Sequence, residues 1–187
     1  KPFSAEELYC RVTQNLDLLE YIHTIRDLSQ KDMLTGLANR RYFFEHGVHL
    51  LADAQKNQKP GAVAMLDLDH FKRINDQYGH EAGDAVLRHL GEMLMRHFGT
   101  HALPARLGGE EFAVLFIGAA DVASLVEAFR AELAAAPVPV PGGSVPVTVS
   151  IGVCSLPGQS LERHLACADT LLYRAKHRGR NRVEVGA

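Results

Sequence analysis

Apolar positions recur along the chain with two periods, and the change from one to the other separates helices from strands. Leu8, Val12, Leu16 and Leu19, followed by Leu18, Tyr21, Ile25 and Leu28, repeat every three or four residues, the spacing that keeps side chains on one helical face. Ahead of them Ser4-Ala-Glu-Glu7 has the form of a capping box, in which hydroxyl and carboxylate each satisfy an amide of the first turn. One long helix of about six turns is expected, with an apolar stripe that shifts midway. Fewer than two heptads fit, too few to specify a coiled coil. Residues 32–41 interrupt the pattern with Gly36 and Asn39, both turn formers, and read as a polar connector. Helical spacing resumes at Phe44, Val48 and Leu51, up to a polar loop at residues 55–61.

Ala62-Val-Ala-Met-Leu66 is a short apolar strand running into Asp67-Leu-Asp69. Residues 70–78 read as a short helix stopped by Gly79, and residues 81–98 as a second, with Val86, Leu87, Leu90, Met93, Leu94 and Phe98 inward. A hairpin over 104–117 turns at Gly108-Gly109, because adjacent glycines take positive φ without steric cost, and carries Glu110 and Glu111 at its tip. Asp121 and Ser160 are placed to cap two further helices, the second ended by Gly179. Between them, residues 138–153 read as two strands around Pro141-Gly-Gly143, and 182–185 offer a last strand. The order α-α-β-α-α-β-β-α-β-β-α-β predicts an α/β fold, a central mixed sheet flanked by helices and preceded by a long N-terminal helix.

Composition narrows the function classes. The 187 residues, 47% hydrophobic and 22% charged, suffice for one well-buried domain plus an extension. A formal net charge of −2 argues against binding nucleic acid or a membrane surface through bulk charge, so an anionic ligand must be met by individually placed Lys and Arg. No apolar run approaches the ~20 residues that span a bilayer, and no signal peptide is visible. Cys10, Cys154 and Cys167 show no C-x-x-C spacing and are expected to be three separate thiols, as in a reducing compartment, so a cytoplasmic protein is expected. The first residue is Lys rather than Met, and a piece of a longer protein is expected.

The candidate chemistry lies in the acids. Asp67 ends a buried strand, and pairing of that strand beside the hairpin would bring it to Glu110 and Glu111. Such a cluster is costly without a cation, and oxygen-only ligands select Mg²⁺ or Mn²⁺, which commonly bridge carboxylates and phosphates. Lys72, Lys176 and Arg180 are available for phosphate, although a lysine in a last helical turn also complements the helix dipole. No G-x-x-x-x-G-K-[ST] loop occurs. Asn75 and Asp84 flank the corner at Gly79-His80; a carboxylate there can accept from the two adjacent N–H donors of guanine.

Together these segments resemble the GGDEF family of diguanylate cyclases. The resemblance is carried by D-M-L-T-G-L-A-N-R-R from Asp32, D-L-D-H-F-K-R-I-N-D-Q-Y-G-H-E-A-G-D from Asp67, R-L-G-G-E-E-F from Arg106, V-S-I-G-V from Val149 and A-D-T-L-L-Y-R-A-K-H-R-G-R-N from Ala168. It implies a fold similar to the palm of nucleotidyl cyclases, and condensation of two GTP into cyclic di-GMP and two pyrophosphates. By position it implies Asp67, the carbonyl of Leu68 and Glu110 as metal ligands with Glu111 beside them, and Glu110 as an aid to deprotonating the attacking hydroxyl. Asn75 and Asp84 would read guanine, with Phe71 and His80 in the same contact motif and Gly108 and Gly109 letting GTP approach the backbone. Lys72, Lys176 and Arg180 would bind phosphate and stabilise developing charge. Two equivalent bonds made by one motif set per chain imply a two-fold homodimer.

The same resemblance implies a catalytic domain over 31–187. Residues 1–30 would hold the last helix of an upstream receiver-like domain plus a linker helix, since Lys1-Pro-Phe resembles the last strand-to-helix junction of a two-component receiver. An inhibitory Arg-x-x-Asp product site is replaced by Gly99-Thr-His-Ala102, so no product inhibition is expected there, although Arg130 sits where a second arginine of that site often lies. The alternative is an inactive module that binds GTP or cyclic di-GMP; the intact acids and glycines favour the enzyme.

Overall fold

The computed structural model describes residues 4, 8–16, 21 and 30–186. Residues 8–16 are helical, with Leu8, Val12 and Leu16 all exposed. Glu7 of the expected capping box, most of the later half of the long helix and the Lys1-Pro-Phe junction lie outside the described residues.

Among the described residues the folded unit runs β1 (Ala38–Asn39), α1 (Arg40–Lys56), β2 (Gly61–Leu68), α2 (Phe71–Tyr78), α3 (His80–Phe98), β3 (Ala102–Gly108), β4 (Glu111–Ile117), α4 (Val122–Ala135), β5 (Val138–Val140), β6 (Gly143–Val145), β7 (Val149–Cys154), α5 (Leu161–His177) and β8 (Val183–Gly186). Six strands form one sheet in the order β1-β3-β4-β2-β7-β8. β1 lies parallel to β3 and β8 parallel to β7, while the central pairs are antiparallel, so the sheet is mixed as expected.

The strand alternation distributes side chains to two cores. Ala62, Ala64, Leu66 and Leu68 of β2 point to one face with Phe112, Val114, Phe116 and Ile151, where Val86, Leu90 and Leu94 of α3 and Phe129 of α4 cover them. Val63 and Met65 point to the other, under Phe43 and Leu51 of α1 and Leu161, Ala168 and Leu172 of α5. Asp121 and Ser160 cap α4 and α5 through Ser124 N and Arg163 N, as their positions suggested.

Four sequence expectations are corrected. The polar connector contains β1, whose two residues add to the edge of β3 and are too few to show a period. The stretch 138–153 forms three strands: β5 and β6 make a separate hairpin, and Pro146, with no N–H to donate, separates it from β7. The β3–β4 turn is Gly109-Glu110 rather than Gly108-Gly109, because a register shift between Arg106 and Gly108 leaves Gly108 paired with Glu111. Cys154 and Cys167 are joined by a disulfide, with Cα atoms 5.9 Å apart, leaving Cys10 as the free, exposed cysteine among the described residues. Their separation of 13 residues concealed that α5 folds back over β7 and brings both into one layer. No described helix is long and apolar enough to cross a membrane.

The α5–β7 contact leaves no room for a side chain at Gly152, where a Cβ would lie 2.1 Å from the Ala168 carbonyl oxygen and 2.3 Å from Leu172 N. Backbone cannot yield as a flexible side chain does, so Gly152→Ala is expected to destabilise the fold by about 3 kcal/mol. Urea denaturation checks this; an unchanged midpoint refutes it.

Candidate active site

Asp67 is the last-but-one residue of β2, in register with Glu111 of β4 on one side and Ser150 of β7 on the other. It is only 5% exposed, and Lys176 in the last turn of α5 places Nζ 2.8 Å from its Oδ2. Burial raises the Asp67 carboxyl above its ordinary value; Lys176 opposes this, the Asp69 charge adds to it and the Arg180 charge relieves it. Glu110, half-buried in the turn, is also raised, first by burial, then by the charge of Asp67, with Lys176 opposing and Glu111 adding. The carboxylates of Asp67, Glu110 and Glu111 outnumber Lys176 and Arg180, the cations that bear on them.

That imbalance fits a hard divalent cation. Among the described residues no group of three or more His, Cys, Asp and Glu side chains converges to hold a metal unaided, and Glu111 is exposed. Two oxygen-donor carboxylates are nonetheless the usual protein share of a Mg²⁺ site, the remaining positions going to water and substrate phosphates.

The turn beside these acids is fixed from behind. Gly108 and Gly109 have φ of 153° and 50°, and a Cβ on either would meet nothing, so open space faces the glycine backbone. Arg106 donates from Nε and Nη2 to the Gly109 carbonyl at 3.0 and 2.8 Å, and from Nη1 to Asp32 Oδ1 at 3.1 Å. Asp32 Oδ1 in turn accepts from Thr35 N and Oγ1 at 2.9 and 2.8 Å. Burial alone would raise the Asp32 carboxyl, but the Thr35 and Arg106 hydrogen bonds outweigh it and hold it below its ordinary value. The connector before β1 is thus hydrogen-bonded through one guanidinium to the turn that carries Glu110.

The corner between α2 and α3 consists of Gly79 alone, with φ of 83°. It folds half-buried Asn75 onto α3, where a Cβ at Gly83 would lie 1.9 Å from Asn75 Oδ1 and 3.2 Å from Phe71 Cζ. Asp84, the next residue, is half-buried and 3.9 Å from Arg88. Phe71, Asn75 and Asp84 therefore share the α2–α3 corner with His80, which follows Gly79 and, like Lys72, is exposed.

The family "Diguanylate cyclase, GGDEF domain" matches residues 29–182. The chain belongs to this family. The GGDEF chain is 35% identical over 196 residues to the response regulator PleD of Caulobacter vibrioides, covering 98% of this chain and 43% of that one. It is 40% identical over 167 residues to the diguanylate cyclase DgcP of Pseudomonas aeruginosa, covering 86% and 25%. The chain thus spans less than half the length of these relatives. Among solved structures, the coiled coil and GGDEF domain of DgcB from Caulobacter crescentus in complex with c-di-GMP matches with a TM-score of 0.87 and 33% identity, covering 96% of this chain and 97% of that one.

Three residues of the GGDEF chain that sequence reasoning gave no role stand at the site: Asp32, Arg106 and Asp69. The first two open motifs, and only position beside the glycines hinted at Arg106. Asp69 is 5% exposed and accepts three hydrogen bonds from residues far along the chain. Arg130 donates to both Glu127 oxygens and, at 2.6 Å, to Asn181 Oδ1, so it is engaged within the domain.

A raised carboxyl binds protons more readily folded than unfolded, so its penalty on stability grows as pH rises through the interval above 4.5 for Glu110 and vanishes below it. Glu110→Gln is expected to raise the melting temperature of the metal-free protein at pH 7, a gain that fades as pH falls toward the ordinary carboxylate range. Scanning calorimetry across pH checks this; a variant less stable at pH 7 overturns it.

Proposed function

We propose that the chain is the catalytic part of a metal-dependent diguanylate cyclase that condenses two GTP into cyclic di-GMP and two pyrophosphates. The observation that carries this reading is the carboxylate of Asp67, buried at the end of β2 and paired with Lys176, set with Glu110 beside an open glycine turn. The name of DgcP and the c-di-GMP bound to DgcB support it.

In this reading Asp84 and Asn75 read guanine, the carboxylate accepting from N1 and N2 of the base, with Phe71 and His80 lining the same corner. Gly108 and Gly109 admit the nucleotide to backbone contact. Lys72, Lys176 and Arg180 take the phosphates and stabilise charge on the departing pyrophosphate. Asp67, the Leu68 carbonyl and Glu110, with Glu111 beside them, would hold Mg²⁺ or Mn²⁺, which when bound would further neutralise the triphosphate. Glu110 helps to deprotonate the attacking 3′ hydroxyl. The 3′ oxygen bonds to the α-phosphorus of the second GTP, the bond to the β-phosphate breaks, and pyrophosphate leaves with that electron pair. The reverse pairing closes the ring, which a two-fold homodimer with one GTP per subunit satisfies.

Residues 31–187 form the catalytic domain in this proposal, and residues 1–30 link it to an upstream receiver domain. A relative named as a response regulator, PleD, supports that arrangement. Placement in the cytoplasm rests on the GTP substrate, since the Cys154–Cys167 disulfide removes the argument from free thiols. Nucleic acid and membrane are not partners in this scheme.

Incubation of the dimer with GTP and Mg²⁺, with products identified by mass, is expected to yield cyclic di-GMP, and none from Glu110→Gln. GTP binding without turnover overturns the enzyme in favour of a binding module. Gly83→Ala, which displaces the Asn75 carboxamide, is expected to raise KM for GTP about tenfold, equivalent to roughly 1.4 kcal/mol, with kcat little changed. An unchanged KM in steady-state kinetics removes Asn75 from base recognition.

A further inference from the structure

We propose that Asp69 is a positioning residue: it fixes the backbone of the turn at residues 179–181 and so holds Arg180 at the end of β2, two residues from Asp67, where a triphosphate is to be met. The proposal deepens the GTP reading above and rests on it for the identity of the ligand.

The turn is conformationally costly. Gly179, Arg180 and Asn181 have φ of 112°, 61° and 46°, three consecutive residues on the left-handed side, two of which bear side chains. For the two that bear side chains this conformation is disfavoured by the Cβ, and it persists only where the surroundings over-determine it. α5 supplies one restraint, since Arg180 N donates to the Ala175 carbonyl at 3.0 Å. The buried restraint is Asp69, whose Oδ2 accepts from Asn181 N at 3.0 Å and from Thr148 Oγ1 at 2.7 Å, while its Oδ1 accepts from Ser150 Oγ at 2.6 Å. Asp69 N donates to the Thr148 carbonyl at 2.9 Å, so the carboxylate is itself locked against β7. Arg130 braces the exposed side through Asn181 Oδ1.

This arrangement resolves a puzzle in the D-L-D motif. Asp69 lies two residues beyond Asp67, yet its three donors consume the carboxylate and turn it away from ligand duty toward structure. The result is that the end of β2 carries one acid for chemistry and one that holds an arginine in register with it. Arg180 is exposed, and the amide of the residue after it donates to the Asp69 carboxylate, two residues beyond Asp67. An arginine on an unrestrained loop would sample many positions, and the lost freedom would be charged against phosphate binding.

Two measurements test this. In the ligand-free protein, amide hydrogen exchange of residues 179–182 is expected to accelerate at least about tenfold in Asp69→Ala relative to the core strands; unchanged protection overturns the proposal. In steady-state kinetics with GTP, Asp69→Ala and Arg180→Ala are each expected to raise KM about tenfold, and the double variant to raise it no further than Arg180→Ala alone. Multiplying effects, or a lower melting temperature with KM unchanged, overturn it. Should Asp69→Ala fail to fold, Asp69→Asn, which keeps the volume and one acceptor oxygen, is read the same way with a smaller expected shift, and its having neither effect overturns the proposal. Absence of any GTP binding by the parent protein refutes the nucleotide reading instead, and the exchange measurement still decides whether Asp69 holds the turn.

Discussion

The structure depends on how negative charge is accommodated where β2 leaves the sheet. Two aspartates, each 5% exposed, end the central strand, and a carboxylate out of water is tolerated only when paired or fully hydrogen-bonded. The two are satisfied differently. Asp69 receives three donors, and Asp67 receives one lysine 2.8 Å away. The asymmetry divides their work: the fully bonded acid is inert scaffold, while the acid with spare acceptor capacity, joined by Glu110, is available for further positive charge.

Satisfying these acids organises much of the sheet's architecture. Lys176 reaches Asp67 only because α5 lies on β7 at backbone contact, which needs Gly152. Glu110 reaches the same place because the β3–β4 register shift moves the turn onto it. Arg106 then connects that turn to Asp32, in the connector that follows the N-terminal helix. The connector and the glycine turn are thereby joined through one side chain.

The legible part of the sequence was the part written locally. Apolar periodicity located the helices, their caps and the long strands, and the side chains of the α2–α3 corner could be grouped because Asn75 and Asp84 flank a single glycine. Relationships across long separations were not legible: Asp69 with Ser150 and Asn181, or Asp32 with Arg106, are 81, 112 and 74 residues apart and follow from tertiary register alone. Cys154 and Cys167 met for the same reason. β1 escaped notice because two residues carry no period, and Lys72 and His80, placed by motif, remain exposed on their helices.

Strand order has a consequence for when the site comes into being. Asp67 and Asp69 lie at the end of β2, near the start of the domain, but β2 is flanked by β4 and β7, and the arginine turn precedes β8 at the sheet's far edge. During synthesis β2 has emerged long before Lys176 and Asn181 exist to meet these acids, so both carboxylates have water as their partner until the final helix and strand dock. Burial of the end of β2 is thereby tied to completion of the last helix and strand.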